Sequence, residues 1–265
     1  MTEATGRGRE HGRTRGAALA LAGIDVRFGA VVALSDVSLT VPAGAVFGVI
    51  GPNGAGKTTL FNVICGLVRP DRGSMSLDGA PWRPRPERLT EAGIARTLQG
   101  VGLFDSLTVL ENVATGLRPR PGALTSLLGL RRTDLADRRI REQAFAALSA
   151  LQIQRYGDDY PPTLPAAVRK KVALARALVA HPRLLLLDEP AGGLSGAEID
   201  ELAATIAALP ARGCTVLLVE HHLDLVMTVC DRVAVLDSGR LIASGEPAAV
   251  RADPAVTRAY LGEGG

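Results

Sequence analysis

The sequence predicts an α/β fold built around a largely parallel sheet. Three observations carry that expectation. Apolar runs of strand length stand at residues 45–50, 184–187 and 215–219; the first ends at Gly51 and the second at Asp188; and amphipathic helical stretches alternate with such runs. A chain of 265 residues with 47% hydrophobic content can fill one globular domain with a small appended subdomain.

The elements follow in order. Residues 1–16 are polar and rich in Gly and Arg, and they read as a disordered extension before a domain spanning 17–265. Ile24, Val26 and Phe28 alternate, as do Val37, Leu39 and Val41, with Gly29 between the two runs, which predicts two antiparallel strands. The run at 45–50 is apolar at every position, as a strand buried on both faces requires. A helix is expected from Lys57 to about Cys65, and further strands at 74–77 and 94–98.

From about 100 to 165 the character changes. Pro and Arg cluster at 118–121, and a helix follows with Ile140, Ala144, Leu148 and Leu151 on one face, so a helical subdomain is expected as an insertion in the α/β core. The alternation then resumes. One helix carries Val168, Val172, Ala175 and Val179 on a stripe, and a strand over 184–187 ends at Asp188. Ser195 and Glu198 form a capping box for a helix with Ile199, Leu202, Ile206 and Leu209 inward. Strands at 215–219 and 233–236 complete the sheet.

Composition narrows the classes. The formal charge is +3, and Lys57, Lys170 and Lys171 are the only lysines, so the arginine excess reads as genome composition rather than a nucleic-acid surface. Cys65, Cys214 and Cys230 lie in apolar runs without Cys-x-x-Cys spacing and read as reduced core thiols of a cytosolic protein. The apolar stretch after Arg7, Arg9, Arg13 and Arg15 is too short for a signal peptide, because Gly23 and Asp25 interrupt it. No apolar run approaches the ~18 residues of a spanning helix. A soluble chain is therefore expected, with any membrane role reached through partners.

The chemistry is concentrated in two places. Gly51-Pro52-Asn53-Gly54-Ala55-Gly56-Lys57-Thr58-Thr59 follows a predicted strand and opens a predicted helix, the context of a phosphate-binding loop. Glycines let backbone N–H groups wrap phosphates and the helix N-terminus adds positive potential, while Lys57 meets the β/γ-phosphates and the Thr58 hydroxyl suits Mg²⁺. At the tip of the 184–187 strand, expected beside the phosphate-loop strand, Asp188 suits Mg²⁺ and Glu189 can polarise an attacking water. His221, after the 215–219 strand, and Gln99, after the 94–98 strand, gain meaning only beside such a site. Phe28 reads equally as a core aromatic or as a stacking partner for adenine.

With these residues in order, the chain resembles the ABC-transporter ATPases from about residue 19 to its end. Gly51 to Thr59 matches the Walker A motif, 184–189 the Walker B motif, Gln99 the Q-loop and His221 the switch histidine. Phe28 falls at the adenine-stacking position, and 191–195 at the D-loop, which here ends in Ser195 where Asp or Asn is more usual. Gly93-Ile94-Ala95-Arg96-Thr97-Leu98-Gln99, Leu107-Thr108-Val109-Leu110-Glu111-Asn112, Glu189-Pro190-Ala191-Gly192-Gly193-Leu194, Val219-Glu220-His221 and Arg258-Ala259-Tyr260-Leu261-Gly262-Glu263 look like the branched-chain amino-acid importer ATPases. The lipopolysaccharide-export ATPases share several of these features. One departure stands out. Where the family usually carries Leu-Ser-Gly-Gly-Gln, this chain has Leu164-Pro165-Ala166-Ala167-Val168, followed by the basic run Arg169-Lys170-Lys171, which reads as a solvated face.

The resemblance implies an ABC-type nucleotide-binding domain of the P-loop NTPase class, with an antiparallel β subdomain and an inserted helical subdomain. It implies ATP and Mg²⁺ as ligands, Glu189, His221 and Gln99 as the hydrolytic set, and Thr58, Asp188 and Gln99 around the metal. Two such subunits, as a heterodimer or a homodimer, would sandwich ATP head to tail on the cytoplasmic face of the plasma membrane. Transmembrane permease subunits would dock on Leu103, Phe104 and Leu107, and an extracytoplasmic solute-binding protein would act indirectly. The altered signature loop favours a heterodimer and opens one rival, a regulatory ATP-binding subunit with little hydrolysis. A nucleic-acid-associated ABC protein, the other rival, is disfavoured by the single cassette and the lack of a long coiled coil.

Overall fold

The structure is a computed structural model that describes residues 16–97, 102–117 and 132–261. The chain opens with β1 (Leu19–Phe28) and β2 (Val31–Val41), then β3 (Val46–Ile50) and helix α1 (Lys57–Ile64). Next come β4 (Arg72–Leu77), β5 (Ala80–Pro81) and β6 (Ile94–Arg96), followed by α2 (Val109–Ala114), α3 (Arg132–Ala150) and α4 (Ala166–Leu178). The remainder runs β7 (Leu184–Asp188), α5 (Gly196–Ala207), β8 (Thr215–Val219), α6 (Leu223–Val229), β9 (Arg232–Asp237), β10 (Arg240–Gly245), α7 (Pro247–Arg251) and α8 (Pro254–Leu261).

Two sheets result. An antiparallel sheet has the order β2-β1-β4-β5, and a six-stranded sheet the order β10-β9-β3-β8-β7-β6, parallel except for the β9–β10 hairpin. The expected pairing of the first two strands is present, with Leu21 opposite Leu39 and Val26 opposite Leu34. One expectation fails: β7 does not lie beside β3, because β8 runs between them and pairs with both. That order sets the residues after β8 between the phosphate-loop strand and the acidic strand.

The continuous apolar runs are explained by burial on both faces. Val46, Ile50, Leu185, Leu187, Val216 and Leu218 face a core shared with Val113, Ala144, Leu148, Val172 and Ile206 of the helices. Phe47, Val49, Leu184, Leu186, Leu217 and Val219 face the opposite core, shared with α1 and with β1, β2 and β4. Helix α4 packs on both α2 and α3, so the helical layer is continuous with the sheet rather than a separate body. Thr108 and Glu111 close a reciprocal capping box on α2, and Ser195 and Glu198 do the same on α5. The three cysteines are free and buried. Gly16 is buried too: a Cβ there would fall 2.5 Å from Thr215 Oγ1. Among the described residues no helix is long and apolar enough to cross a membrane.

Candidate functional site

The site lies beyond the C-terminal ends of β3, β8 and β7, where ligands of open α/β sheets collect. After β3 the chain makes the phosphate loop. Gly51 takes φ 147°, and a Cβ there would lie 2.0 Å from the carbonyl oxygen of Leu236; Gly56 takes φ 102° and would set a Cβ 2.6 Å from Ala33 O. Only glycine fits either position. Gly56 caps α1, whose first residue is Lys57. Lys57 is 5% exposed, and its Nζ donates to the carbonyl oxygens of Gly51 (2.6 Å) and Pro52 (2.7 Å), so the ammonium sits within the loop's own backbone. Gly51, Pro52 and Ala55 are buried, Asn53, Gly54 and Thr58 are exposed, and Thr59 is half-buried. The N–H groups of the first helical turn and a buried cation make a cradle for polyphosphate.

Across β8, Asp188 ends β7 with its side chain 1% exposed. A lone buried carboxylate is costly, and Arg96 on the neighbouring β6 offsets it, Nη2 donating to Asp188 Oδ2 at 2.8 Å. Arg96 also donates through Nη1 to Asn62 Oδ1 of α1 at 2.8 Å and lies over the Phe61 ring at 5.7 Å. The other oxygen, Asp188 Oδ1, is buried without a hydrogen-bond partner. That orphan acceptor is what a hard cation or its bound water would occupy, and the exposed Thr58 hydroxyl offers a second oxygen. Among the described residues no cluster of three His, Cys, Asp or Glu side chains can hold a metal by itself. This donor set fits Mg²⁺ held chiefly by nucleotide phosphates.

Glu189 follows at φ 47°, a left-handed conformation that costs on the order of 1–3 kcal/mol for a non-glycine residue and clusters at functional sites. Its N–H donates to Val219 O at 2.9 Å, which holds the strained turn against β8. The carboxylate reaches His221, with Oε1 2.9 Å from Nε2. Glu189 and His221 are therefore brought together, both partly open to solvent. Gln99 lies outside the described residues. Phe28 ends β1 and is 53% exposed, which excludes the core-aromatic reading and leaves its ring free to stack.

Helix α4 starts after Pro165, its N-cap, which has no hydroxyl and makes no side-chain cap. Ala166 is exposed and Ala167 half-buried. The basic run after it is not one solvated face. Arg169 is exposed and Lys171 pairs with Glu201, but Lys170 donates to the carbonyl oxygens of Pro190 (2.9 Å) and Gly192. Three residues in or beside the site escaped the sequence reading as site members: Arg96, Lys170 and Glu220, the last buried directly after β8. A charged residue at the end of a buried apolar strand was the available signal for Glu220, and an arginine inside one for Arg96.

Comparisons with known proteins identify the family and the fold. A family profile described as ABC transporter matches residues 34–192, and one described as branched-chain amino acid ATP-binding cassette transporter matches 240–265. The chain is 37% identical to the high-affinity branched-chain amino acid transport ATP-binding protein BraF of Pseudomonas aeruginosa, over 92% of this chain and 98% of that one. It is also 37% identical to the lipopolysaccharide export system ATP-binding protein LptB of Haemophilus influenzae, over 87% of this chain and 91% of that one. A solved nucleotide-free ATP-binding cassette from an ABC transporter superposes with a TM-score of 0.80 at 32% identity, covering 92% of this chain and 98% of that one.

Proposed function

The chain belongs to the ABC transporter family as one of its ATPases, and on that premise we propose that it powers import of branched-chain amino acids or similar small polar solutes. The observation that carries the substrate class is the match of residues 240–265 to the branched-chain profile. Percent identity does not separate the import ATPase from the export one, at 37% for each, so the tail carries the assignment.

The residues divide the work. The phosphate loop and Lys57 bind and orient the ATP β/γ-phosphates, and the N-terminus of α1 adds its dipole. Asp188 Oδ1 and the Thr58 hydroxyl would hold Mg²⁺, with Gln99 as a further ligand. Bound Mg²⁺ would neutralise charge on the phosphate oxygens. Glu189 orients and polarises the attacking water, and His221 steadies Glu189 and faces the γ-phosphate. Phe28 stacks on adenine.

The chain acts on the cytoplasmic face of the plasma membrane through transmembrane permease subunits, with Leu103, Phe104 and Leu107 in the contact and an extracytoplasmic solute-binding protein upstream. Phe104, 53% exposed, supports that surface. A second ABC ATPase completes the sites head to tail. The lack of a serine hydroxyl at Pro165 favours a non-identical partner, and it also supports a second reading, a regulatory subunit with weak hydrolysis. Reconstitution with the permease pair tests both. ATP turnover stimulated by leucine-loaded binding protein, with leucine uptake, is expected. Turnover without amino-acid uptake sinks the substrate class, and nucleotide binding without turnover favours the regulatory reading.

A further inference from the structure

Glu220 is 1% exposed, yet no step above uses it. Its carboxylate is satisfied by three backbone N–H groups from two loops. Oε1 accepts from Ala191 at 2.6 Å, and Oε2 accepts from His221 at 2.8 Å and His222 at 3.1 Å. One buried anion therefore fastens the segment after Glu189 to the segment that carries His221.

The same segment is held from its other side by a cation. Lys170 Nζ donates to Pro190 O and Gly192 O, the carbonyls that flank the Ala191 N–H taken by Glu220. Burial lowers the Lys170 ammonium below its ordinary value, and Glu220 and Glu189 draw it back up. Three consecutive residues are thus gripped through their main chain, carbonyls by a lysine of α4 and an amide by a glutamate after β8. Main-chain recognition of this kind fixes position whatever the side chains of 190–192.

We propose that Lys170 and Glu220 are positioning residues for ATP hydrolysis: they clamp residues 190–192 and so set Glu189 against His221, tying α4 to this chain's own hydrolytic pair. Glu189 needs such support, since its left-handed backbone is held by Val219 O on one side and by the clamped segment on the other. Lys170 lies one helical turn inside α4, whose first residues follow Pro165. In the head-to-tail dimer proposed above, on which this last step rests, that end of α4 meets the partner's nucleotide. A shift of α4 there pulls on residues 190–192 and moves Glu189, so one site's occupancy sets the other's readiness. The link is made within one chain.

The test uses Lys170→Met, Lys170→Arg and Glu220→Gln in the full chain, alone and assembled with its transmembrane subunits. In the assembly Lys170→Met and Glu220→Gln should each lower kcat by about tenfold or more, and ATP Kd of the chain should stay within about twofold. Amide exchange at Ala191 should quicken in both, and Lys170→Arg should recover most of kcat. Turnover within about twofold of the parent in both variants overturns the proposal, as does a loss of kcat matched by an equal loss of ATP affinity. A parent assembly without turnover would count against the ATPase reading instead. The clamp is then judged by exchange alone, and unchanged exchange at Ala191 in both variants overturns it.

Discussion

Arg96 reaches across the β6–β7 pair to Asp188, its Nη2 2.8 Å from Oδ2, and the two side chains are only 11% and 1% exposed. The expected metal-binding carboxylate therefore has an internal cation on one oxygen and an unpaired second oxygen.

Removing that cation strands a buried charge. Arg96→Ala should destabilise the chain by about 3–5 kcal/mol, the range for breaking a buried pair from one side. Adding Asp188→Asn should restore most of the loss, because a neutral amide needs no counter-ion. Urea denaturation of the single and double variants measures the coupling, and an additive result removes the ion pair from the account.

Lys57→Ala deletes two hydrogen bonds inside the phosphate loop and the charge aimed at the phosphates. Charge-assisted bonds are worth about 1.5–3 kcal/mol each, so ATP affinity should fall by about 10- to 100-fold or more. The fold should survive, since α1 keeps Leu60, Phe61 and Ile64 in the core. Equilibrium ATP titration of the folded variant decides it, and unchanged affinity removes Lys57 from the site.

Unequal sites are expected of the proposed heterodimer, because Pro165 replaces the usual serine of the signature loop. In a heterodimer this chain's Lys57, Asp188 and Glu189 use the partner's signature loop, and the partner's nucleotide meets Pro165, Ala166 and Ala167. Glu189→Gln should abolish most turnover, by about 100-fold or more, with ATP still bound. The matching change in the partner should cost much less. Restoring Ser-Gly-Gly at 165–167 should raise hydrolysis at the partner's site and narrow the difference. Steady-state turnover with single-site occupancy checks this, and a more damaging partner change reverses the assignment.

Burial pushes Cys214 and Cys230 up from 9.0 to about 12. Their folded values lie above the unfolded value, so the protonated thiols are favoured by the fold. The stability they contribute is complete below pH 9 and is lost as pH rises from about 9 towards 12. A Cys214→Ala, Cys230→Ala variant should lose less stability than the parent between about pH 9 and about 10.5, measured by urea denaturation at stepped pH. Equal slopes would mean that neither thiol is buried as described.

What was legible in the sequence is what local pattern can encode. The runs at 45–50, 184–187 and 215–219 lack alternation because both faces of β3, β7 and β8 are buried, and that requires a covered sheet. The phosphate loop is legible because its glycines, its lysine and its strand–helix context are contiguous. Two local signals went unused: Thr108 and Glu111 at α2, and Ser238-Gly239, both at positive φ, in the hairpin from β9 to β10. Strand order was misread, because adjacency of β8 to β3 and β7 is a tertiary choice that no single run records. Arg96 and Asp188 are 92 positions apart and Lys170 and Pro190 are 20 apart, beyond the reach of helix or strand periodicity.

The central place of β3 also bears on how the molecule is made. Its two sheet neighbours, β8 and β9, begin at Thr215 and Arg232, so synthesis leaves β3 without either partner until most of the chain exists. Ribosomes add about 5–20 residues per second, so this strand waits on the order of ten seconds with both of its hydrogen-bonding edges unpaired. The antiparallel hairpin β1–β2 can close early, from neighbouring residues. A nascent chain halted before β8 would carry the whole phosphate loop and still lack the sheet that shapes it. Such truncated chains are expected to call on chaperones and to bind no ATP, and nucleotide binding should arise only when the last third of the protein has emerged.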